Sequence, residues 1–328
     1  MNAPDRNSAI GARQMTYAEA ACLALREKMG ADTSIVALGE DLGRGGVFGQ
    51  YRGLPQEFPG RIIDTPISEA NIMGAAVGMA LAGLKPVVEM RVIDFALCAM
   101  DEIVNQAAKN RYMFGGQGRV PLVARMPIGI WSASAAQHSQ SLEAWFAHMP
   151  GLVVAVPGTP ADNYGLLKSA IDSGDPVIYM EHKELWGMSG EVTPGAEVQL
   201  GRANVLTTGG DLTIVTWSRG VSLAVEAAAS LGKAGIAAEV VDLRTLWPWD
   251  REAVFASAAK TRKVLVVHES VQVAGFGAEV AASVAEHVGC RVARLGAPRI
   301  PVGYSQVLEN ESRLSAIKIE AAARSILK

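Results

Sequence analysis

The chain has 328 residues, of which 49% are hydrophobic and 19% are charged, so it is long enough for two domains with cores of their own. Its formal net charge of -3 and pI near 6.0 give no electrostatic basis for binding nucleic acid. No apolar run reaches the length of a membrane span, so no membrane segment is predicted.

The N-terminus and the cysteines indicate a compartment. Residues 1–14 lack the apolar core of a secretory signal, and we expect them to form a disordered leader. Cys22, Cys98 and Cys290 lie far apart and make neither a CxxC pair nor an even disulfide framework. The reducing cytoplasm is therefore the predicted location.

The first elements carry clear start signals. Thr16 and Glu19 fit a capping box that opens a helix extending to about Lys28, and 34–38 is typical of a buried strand. The segment 39–49, here called the glycine-rich loop, then predicts irregular backbone that can approach a ligand or a partner chain closely.

A second helix start follows a short strand that we expect to be buried. Ser68 is predicted to cap a helix over 71–81, which is rich in small residues and lets another backbone come close. Glu69 then lies in the positive field of the helix N-terminus. Such a carboxylate can be functional or simply an acidic first-turn residue, and position alone leaves both interpretations open.

Strands and helices alternate through the rest of the first half. The predicted strands are 86–90, 121–126, 152–156 and 176–181. The predicted helices are 95–112, a segment after His138 that extends through Trp145, and a segment that begins at Thr159-Pro160 and includes 166–171. This alternation predicts a mainly parallel sheet covered by helices on both faces.

The pattern lapses into Gly, Pro, Ser and Thr between residues 187 and 201 and then starts again. The later strands are 212–217, 237–243 and 263–268, and the later helices are 221–231, 277–288 and 312–327. The predicted fold class is α/β, with two consecutive doubly wound domains. The first covers 15–190, the second covers 206–328, and 191–205 links them.

Three segments occur in an order and spacing that resemble a known family. They are Gly39-Glu40-Asp41, the run from Arg61 to Glu69, and the stretch 136–151 around His138. Together they resemble the beta subunit of the thiamine diphosphate-dependent decarboxylating component of 2-oxo acid dehydrogenase complexes, in the transketolase-like superfamily. The resemblance runs from about Thr16 to about Leu327 and covers pyruvate, acetoin and branched-chain members alike. It implies a pyrimidine-binding first domain and a transketolase C-terminal-like second domain for association.

The resemblance also assigns roles to individual residues. Glu69 matches the glutamate that hydrogen-bonds the aminopyrimidine of the cofactor and favours its imino tautomer, while Phe95 matches an aromatic ring against the aminopyrimidine face. Ile67 and Glu40 match further cofactor-site positions. His138 matches the histidine that faces the bound intermediate and the incoming lipoyl group, where an imidazole of near-neutral pKa suits proton delivery.

Each assignment has an ordinary structural alternative. Phe95 can be a core aromatic residue, and His138 can be a polar residue at a helix start. The resemblance further places Glu40, Glu89 and Asp101 in a buried acidic channel between two active sites, although acidic side chains are mostly solvated.

Metals and partners follow from the same resemblance. A potassium ion is implied at Leu122, Ala170, Ile171, Ser173 and Asp175, largely through backbone carbonyls, although Ser173 and Asp175 depart from the expected side chains. No Gly-Asp-Gly motif for magnesium and diphosphate occurs in the chain. The resemblance therefore implies an alpha subunit that carries this motif and holds Mg²⁺, an alpha2beta2 assembly, and a lipoyl-bearing acyltransferase partner.

Two other functions remain open at this point. The chain could be the C-terminal half of a split transketolase or deoxyxylulose phosphate synthase, which would need a basic cluster for sugar phosphate beside the His138 segment, and the sequence shows none there. It could also be a non-catalytic assembly subunit of the same fold, against which the presence of both Glu69 and His138 argues.

Overall fold

The computed structural model describes residues 11–328, so most of the predicted leader lies outside the described residues. Arg13 and Gln14, which the sequence analysis assigned to that leader, belong to the first strand. The first half contains, in chain order, β1 (Arg13–Thr16), α1 (Tyr17–Ala31), β2 (Ile35–Gly39), α2 (Leu54–Glu57), β3 (Ile62–Asp64), α3 (Glu69–Leu81), β4 (Lys85–Glu89), α4 (Ile93–Ala96), α5 (Ala108–Met113), β5 (Val123–Ile128), α6 (Glu143–Ala147), β6 (Val153–Ala155), α7 (Pro160–Asp172), β7 (Val177–His182) and β8 (Ser189–Val192).

The second half repeats the alternation of strands and helices. It contains β9 (Asn204–Thr207), β10 (Leu212–Thr216), α8 (Gly220–Lys233), β11 (Ala238–Asp242), β12 (Thr245–Trp247), α9 (Arg251–Thr261), β13 (Lys263–Val271), α10 (Gly277–His287), β14 (Arg291–Ala297), α11 (Gln306–Ser312) and α12 (Ala316–Leu327).

Two mainly parallel sheets organise these elements. The first has the order β12-β6-β7-β5-β4-β2-β3, and the second has the order β14-β13-β10-β11-β9. Only the end strands β12 and β9 pair antiparallel within these two sheets, while β1 and β8 form a separate antiparallel pair. The predicted α/β fold class is confirmed.

The two halves of the chain share a pair of hydrogen-bonded strands and an apolar core. Strand β12, from the second predicted domain, pairs with β6 of the first sheet. One apolar core includes Ile128 and Phe146 from the first half together with Trp217, Leu243 and Phe276 from the second. The domain limits inferred from sequence stay a prediction.

Several local features differ from the sequence-based expectations. Ser68 occupies the N-cap position of α3, but its side chain accepts no capping hydrogen bond. Strand β3 is half-buried rather than buried, since it lies at the sheet edge and pairs only with β2. The predicted helix 95–112 is interrupted by a short tighter segment and by a π-helical turn over Glu102–Ala107. The helix after His138 begins only at Glu143.

The capping box at Thr16 and Glu19 is confirmed, and so is the helix start at Thr159, whose hydroxyl accepts the Asp162 N–H. No helix among residues 11–328 is long and apolar enough to cross a bilayer.

Candidate active site

The carboxyl ends of the parallel strands bring the candidate site together. Gly39 at the end of β2 is in register with both Asp64 of β3 and Glu89 of β4, and Glu89 is in register with Arg125 of β5. A Cβ atom at Gly39 would lie 2.5 Å from the Glu89 carbonyl oxygen, so only glycine permits this approach. Ligands of open α/β sheets bind beyond this edge.

Glu69 is the first residue of α3, and it follows β3 after a short connection anchored by the Thr65 N–H, which donates to the Gly39 carbonyl at 2.9 Å. Its side chain is partly exposed. Ile67, two residues earlier, is 77% exposed, which is unusual for an isoleucine and leaves an apolar surface beside Glu69.

Glu40 lies close enough to Glu69 for their charges to interact. Partial burial raises the pKa of the Glu40 carboxyl, the Glu69 carboxylate raises it further, and the nearby Arg91 lowers it. Glu40, Arg91 and Glu89 line one small cavity with Phe48 and Gln50. Glu69 and Glu40 are therefore brought together by the fold, as a shared site requires.

Glu89 belongs to a buried ionic network. Arg125, which is fully buried, donates to both carboxylate oxygens of Glu181 at 2.9 and 2.8 Å, whereas the nearest Glu89 oxygen lies 3.5 Å away. Gln50 and Tyr51 donate to Glu89 at 3.0 and 2.9 Å. Burial raises the pKa of Glu89 to about 7, and the Arg125 charge opposes that rise. One guanidinium thus serves two carboxylates and pairs best with Glu181.

Phe95 and His138 are in direct contact. Their ring centroids are 5.2 Å apart and the rings meet edge to face at 85°. Phe95 is half-buried in α4, and His138 is exposed within the segment between β5 and α6, residues 129–142, here called the His138 loop. Lys183 donates to the His138 carbonyl, and burial lowers the pKa of Lys183 to about 8.

Aromatic packing joins the glycine-rich loop to the His138 loop. The ring of Phe48 meets Trp131 edge to face at 5.5 Å and stacks on Trp186 at 4.8 Å. Trp131 thus bridges the two segments that carry Glu40 and His138. The sequence did not reveal this contact because the three aromatic residues lie far apart along the chain.

A group of cations near the His138 loop was not predicted from the sequence. Lys183, Arg219 and Arg313 line a cavity of about 980 Å³ that includes Trp131 and Glu184. Arg219 and Arg313 both pair with Glu184, and Arg313 also pairs with Glu309 at 2.8 Å. The expectation of no basic cluster beside the His138 loop was wrong in this respect, although carboxylates balance most of its charge.

Asp101 does not join the site within this chain. It is exposed, and its carboxylate accepts hydrogen bonds from Asn105 at 2.7 Å and Gln106 at 3.2 Å. Of the three acidic residues implied for the channel, Glu89 is buried, Glu40 is partly buried, and these two line one cavity.

The residues implied for potassium lie around the start of β5 and the end of α7. The Leu122 carbonyl accepts the Val177 N–H at 2.9 Å, and the Ala170 carbonyl accepts the Ser173 N–H at 3.2 Å. Ile171 is buried in the last turn of α7, and Asp175 pairs with Arg111. Across residues 11–328 no group of three or more His, Cys, Asp or Glu side chains is arranged to hold a metal ion.

The edge of the first sheet therefore presents a carboxylate, an exposed apolar side chain, an aromatic ring and an imidazole. A flat heteroaromatic cofactor fits this set, because the carboxylate can hydrogen-bond a ring nitrogen while the apolar and aromatic groups cover ring faces. Nothing in the set is suited to hold a diphosphate.

Comparison with known proteins places these features in a family. Residues 13–188 match the family described as "Transketolase, pyrimidine binding domain", and residues 201–319 match "Transketolase, C-terminal domain". The chain is similar, with 27% identity and a TM-score of 0.80, to a solved structure described as "Split gene transketolase, inactive beta4 tetramer", covering 95% of this chain and 98% of that one.

Sequence identity is higher to three other proteins than to this solved structure. The beta subunit of acetoin:2,6-dichlorophenolindophenol oxidoreductase from Cupriavidus necator is 41% identical over 97% of this chain and 98% of its own length. The 2-oxoisovalerate dehydrogenase subunit beta of Bacillus subtilis is 41% identical over 95% and 98%. The mitochondrial pyruvate dehydrogenase E1 component subunit beta-2 of Oryza sativa is 41% identical over 93% and 84%. The chain therefore belongs to the transketolase-like family of beta subunits of the pyruvate, 2-oxoisovalerate and acetoin dehydrogenases.

Proposed function

We propose that this chain is the beta subunit of a two-chain, thiamine diphosphate-dependent 2-oxo acid or acetoin dehydrogenase that passes its acyl product to a lipoyl group. The observation that carries the proposal is the convergence, at one sheet edge, of the Glu40 and Glu69 carboxylates with the contacting rings of Phe95 and His138. Family membership supports the reaction class. The cofactor, when bound, supplies a thiazolium ring that accepts the electron pair left when carbon dioxide departs.

The chain's own residues then have distinct tasks. Glu69 would hydrogen-bond the aminopyrimidine and hold a proton at its ring nitrogen, with Glu40 beside it as a second cofactor-site carboxyl. Phe95 and Ile67 would cover the apolar ring surfaces. His138 would deliver a proton to a lipoyl sulfur, for which an exposed imidazole on a loop is accessible.

A second polypeptide completes this proposed site. The absence of Gly-Asp-Gly from the sequence and the beta-subunit names of the relatives support an alpha subunit that holds Mg²⁺ and the diphosphate in an alpha2beta2 enzyme. The names of the relatives likewise support a lipoyl-bearing acyltransferase as the acceptor. Potassium at Leu122, Ala170, Ile171, Ser173 and Asp175, and a cytoplasmic location, stay predictions.

Reconstitution tests the proposed function. The chain should be inactive alone with thiamine diphosphate and Mg²⁺, and active after co-expression with an alpha chain that carries Gly-Asp-Gly, when assayed with pyruvate, branched-chain oxo acids and acetoin. Turnover by the isolated chain would contradict the two-chain proposal. Activity on sugar phosphates would favour the transketolase alternative, and no activity on any of these substrates would favour an assembly subunit.

Glu69→Gln tests the role of the carboxylate in the reconstituted enzyme. The amide keeps the shape of the side chain but cannot share the proton, so exchange of the thiazolium C2 proton followed by NMR should slow by about a hundredfold or more. The matched control is Glu252→Gln, which changes an exposed first-turn acid of α9 that lies far along the chain. An unchanged exchange rate in Glu69→Gln would show that Glu69 has no role in this step and is an ordinary acidic residue of the first helical turn.

His138→Ala tests the later step. Losing a positioned proton donor costs about a hundredfold or more in the step it serves, so lipoyl-dependent acyl transfer should fall much more than decarboxylation measured with an artificial electron acceptor. His148→Ala is the control, because His148 is also exposed and lies at the end of α6. Equal loss in both assays would assign His138 to substrate binding or earlier steps, and no loss would leave it a surface residue.

A further inference from the structure

The His138 loop has a backbone that its own sequence does not favour. Ser132, Ala133 and Ala135 have φ values of 45°, 56° and 59°, in the left-handed region that non-glycine residues avoid. Conformations of this kind persist only where surrounding groups hold them, and they cluster at functional sites. The loop must therefore be held from outside.

Two carboxylates of the second half supply part of that support. Glu269 of β13 accepts the Ile130 N–H at 2.8 Å, and Glu309 of α11 accepts the Ala133 N–H at 3.0 Å. Glu309 is 1% exposed and the Glu269 side chain is 6% exposed, so neither bond competes freely with water. Hydrogen bonds to a charged acceptor are about twice as strong as neutral ones.

Each carboxylate is in turn held in place. The Nδ1 atom of His182 accepts the Glu184 N–H at 3.1 Å, so its proton is on Nε2, which donates to Glu269 at 2.7 Å. Burial raises the pKa of Glu269, but the His182 interaction and the Ile130 N–H outweigh burial, and the net shift is downward. Arg313 donates to Glu309 at 2.8 Å and also pairs with Glu184.

Glu184 therefore connects the two supports. Its backbone N–H fixes the ring of His182, and its carboxylate accepts from Arg313, which holds Glu309. A third contact, from Lys183 to the His138 carbonyl, comes from the residue beside it. The loop is thus held at Ile130, Ala133 and His138, and its first two anchors belong to the second half of the chain.

We propose that Glu269 and Glu309 are positioning residues, which hold the His138 loop through the Ile130 and Ala133 N–H groups so that the His138 imidazole meets the lipoyl sulfur. The inference rests on the proposed function of His138. It gives the second half a part in acyl transfer in addition to association. Neither glutamate would touch substrate or cofactor.

Variants of both glutamates test the proposal in the enzyme reconstituted with its alpha subunit. Glu269→Ala and Glu309→Ala remove the acceptor, whereas Glu269→Gln and Glu309→Gln keep a carbonyl oxygen that can accept the same N–H. The control is Glu239→Ala, because Glu239 is also a buried glutamate of the second half but bonds Ser257 and Lys260 rather than the loop.

Hydrogen exchange measures the support directly. The Ile130 amide in Glu269→Ala and the Ala133 amide in Glu309→Ala should exchange about tenfold faster or more, as expected for loss of a hydrogen bond to a charged group. The Gln variants should restore most of the protection. Exchange that stays unchanged in the Ala variants, or that rises equally in Glu239→Ala, would overturn the proposal.

Kinetics measure the positional role. A displacement of about 1 Å costs roughly a hundredfold, so the Ala variants should lower lipoyl-dependent acyl transfer by about ten- to a hundredfold, with a much smaller effect on decarboxylation, and the Gln variants should recover it. Faster exchange without loss of transfer would overturn the positioning role. His138→Ala, measured in parallel, separates this proposal from the proposed role of His138. Unchanged acyl transfer in His138→Ala would refute the role of His138. The amide hydrogen-exchange rates would then decide alone whether the glutamates hold the loop.

Discussion

His268 offers a direct test of how the second half is stabilised around Glu269, its neighbour on β13. The imidazole is fully buried and stacks on Trp217 with ring centroids 5.2 Å apart. Its Nδ1 atom lies 2.9 Å from the Ser270 hydroxyl and 3.0 Å from the Ser270 carbonyl, while its Nε2 atom has no hydrogen-bond partner among residues 11–328. Gly275 and Gly277 pack against the ring so tightly that a Cβ atom at either would lie within 2.8 Å of it.

The magnitude follows from the shift in acidity. Burial lowers the pKa of His268 from 6.5 to about 4, and the Arg294 charge adds to this shift while the Ser270 hydrogen bond opposes it. The unfolded chain therefore binds a proton below about pH 6.5, whereas the folded chain binds it only below about pH 4. The contribution of His268 to the free energy of unfolding is fully present above pH 6.5. It falls as the pH decreases from 6.5 to 4, by about 3 kcal/mol at about 1.4 kcal/mol per pH unit.

Urea unfolding of wild type and His268→Asn between pH 4 and 8 measures this contribution. Asparagine cannot titrate but keeps a polar atom near Nδ1, and its lost stacking on Trp217 is a cost that does not depend on pH. The stability difference between the two proteins should therefore shift by about 3 kcal/mol in favour of the variant as the pH falls from 6.5 to 4. Parallel curves across that range would refute the reasoning, because other titrating groups contribute equally to both proteins.

Two further substitutions test the site itself. Glu89 has a pKa raised to about 7 by burial, so the stability it contributes is full below its ordinary pKa of 4.5 and is lost as the pH rises through 7. Glu89→Gln should remove that part of the pH dependence in urea unfolding at pH 5 and 8, and equal slopes would contradict it. Gly129 has a φ of 88°, and a Cβ atom there would lie 1.9 Å from His182 Nε2. Gly129→Ala should cost at least about 2 kcal/mol in thermal unfolding, and an unchanged melting temperature would show that His182 moves freely.

The fold class was predictable because strand and helix patterns alternate through most of the chain. Local start signals such as Thr16 with Glu19 were also reliable, since the atoms that satisfy them lie within four residues. Ser68 shows the limit of such signals. It precedes a helix with the right residue type, yet its φ of -170° and ψ of 81° leave its hydroxyl without a capping bond. Serine is a common N-cap residue, but the backbone angles at the helix start decide whether its hydroxyl can accept a capping hydrogen bond.

Features that depend on distant contacts were not predictable. Strand β12 is only three residues long and pairs with β6, which is some ninety residues earlier in the chain. The cations Arg219 and Arg313 line the same cavity as Trp131 of the His138 loop, although they come from distant parts of the chain. A single sequence contains no periodicity or motif that indicates such long-range contacts.

The candidate site shows the same division at the level of single residues. Glu69 and His138 could be singled out because the order and spacing of their segments resemble a known family, and their roles stay predictions. The contact between Phe95 and His138 was not predicted from the sequence, but it brings two of the candidate residues together. Glu269 and Glu309 carry no motif, since a carboxylate that accepts a backbone N–H is specified only by where that N–H points. Their contribution becomes visible when the buried polar atoms of the loop are traced to their partners.

The distribution of charge explains why the two halves cannot act independently at this site. The His138 loop gains no charged partner from its own residues, and its Ile130 and Ala133 N–H groups reach carboxylates that the second half provides. Those buried carboxylates are held by the hydrogen bond from His182 and by the ion pair with Arg313, and His182 belongs to β7 of the first sheet. A residue of the first sheet, His182, therefore holds a carboxylate of the second half, Glu269, which in turn holds the loop. A rearrangement that separated the halves would expose these charges and release the left-handed turns together, so the position of His138 and the packing between the halves depend on the same set of contacts.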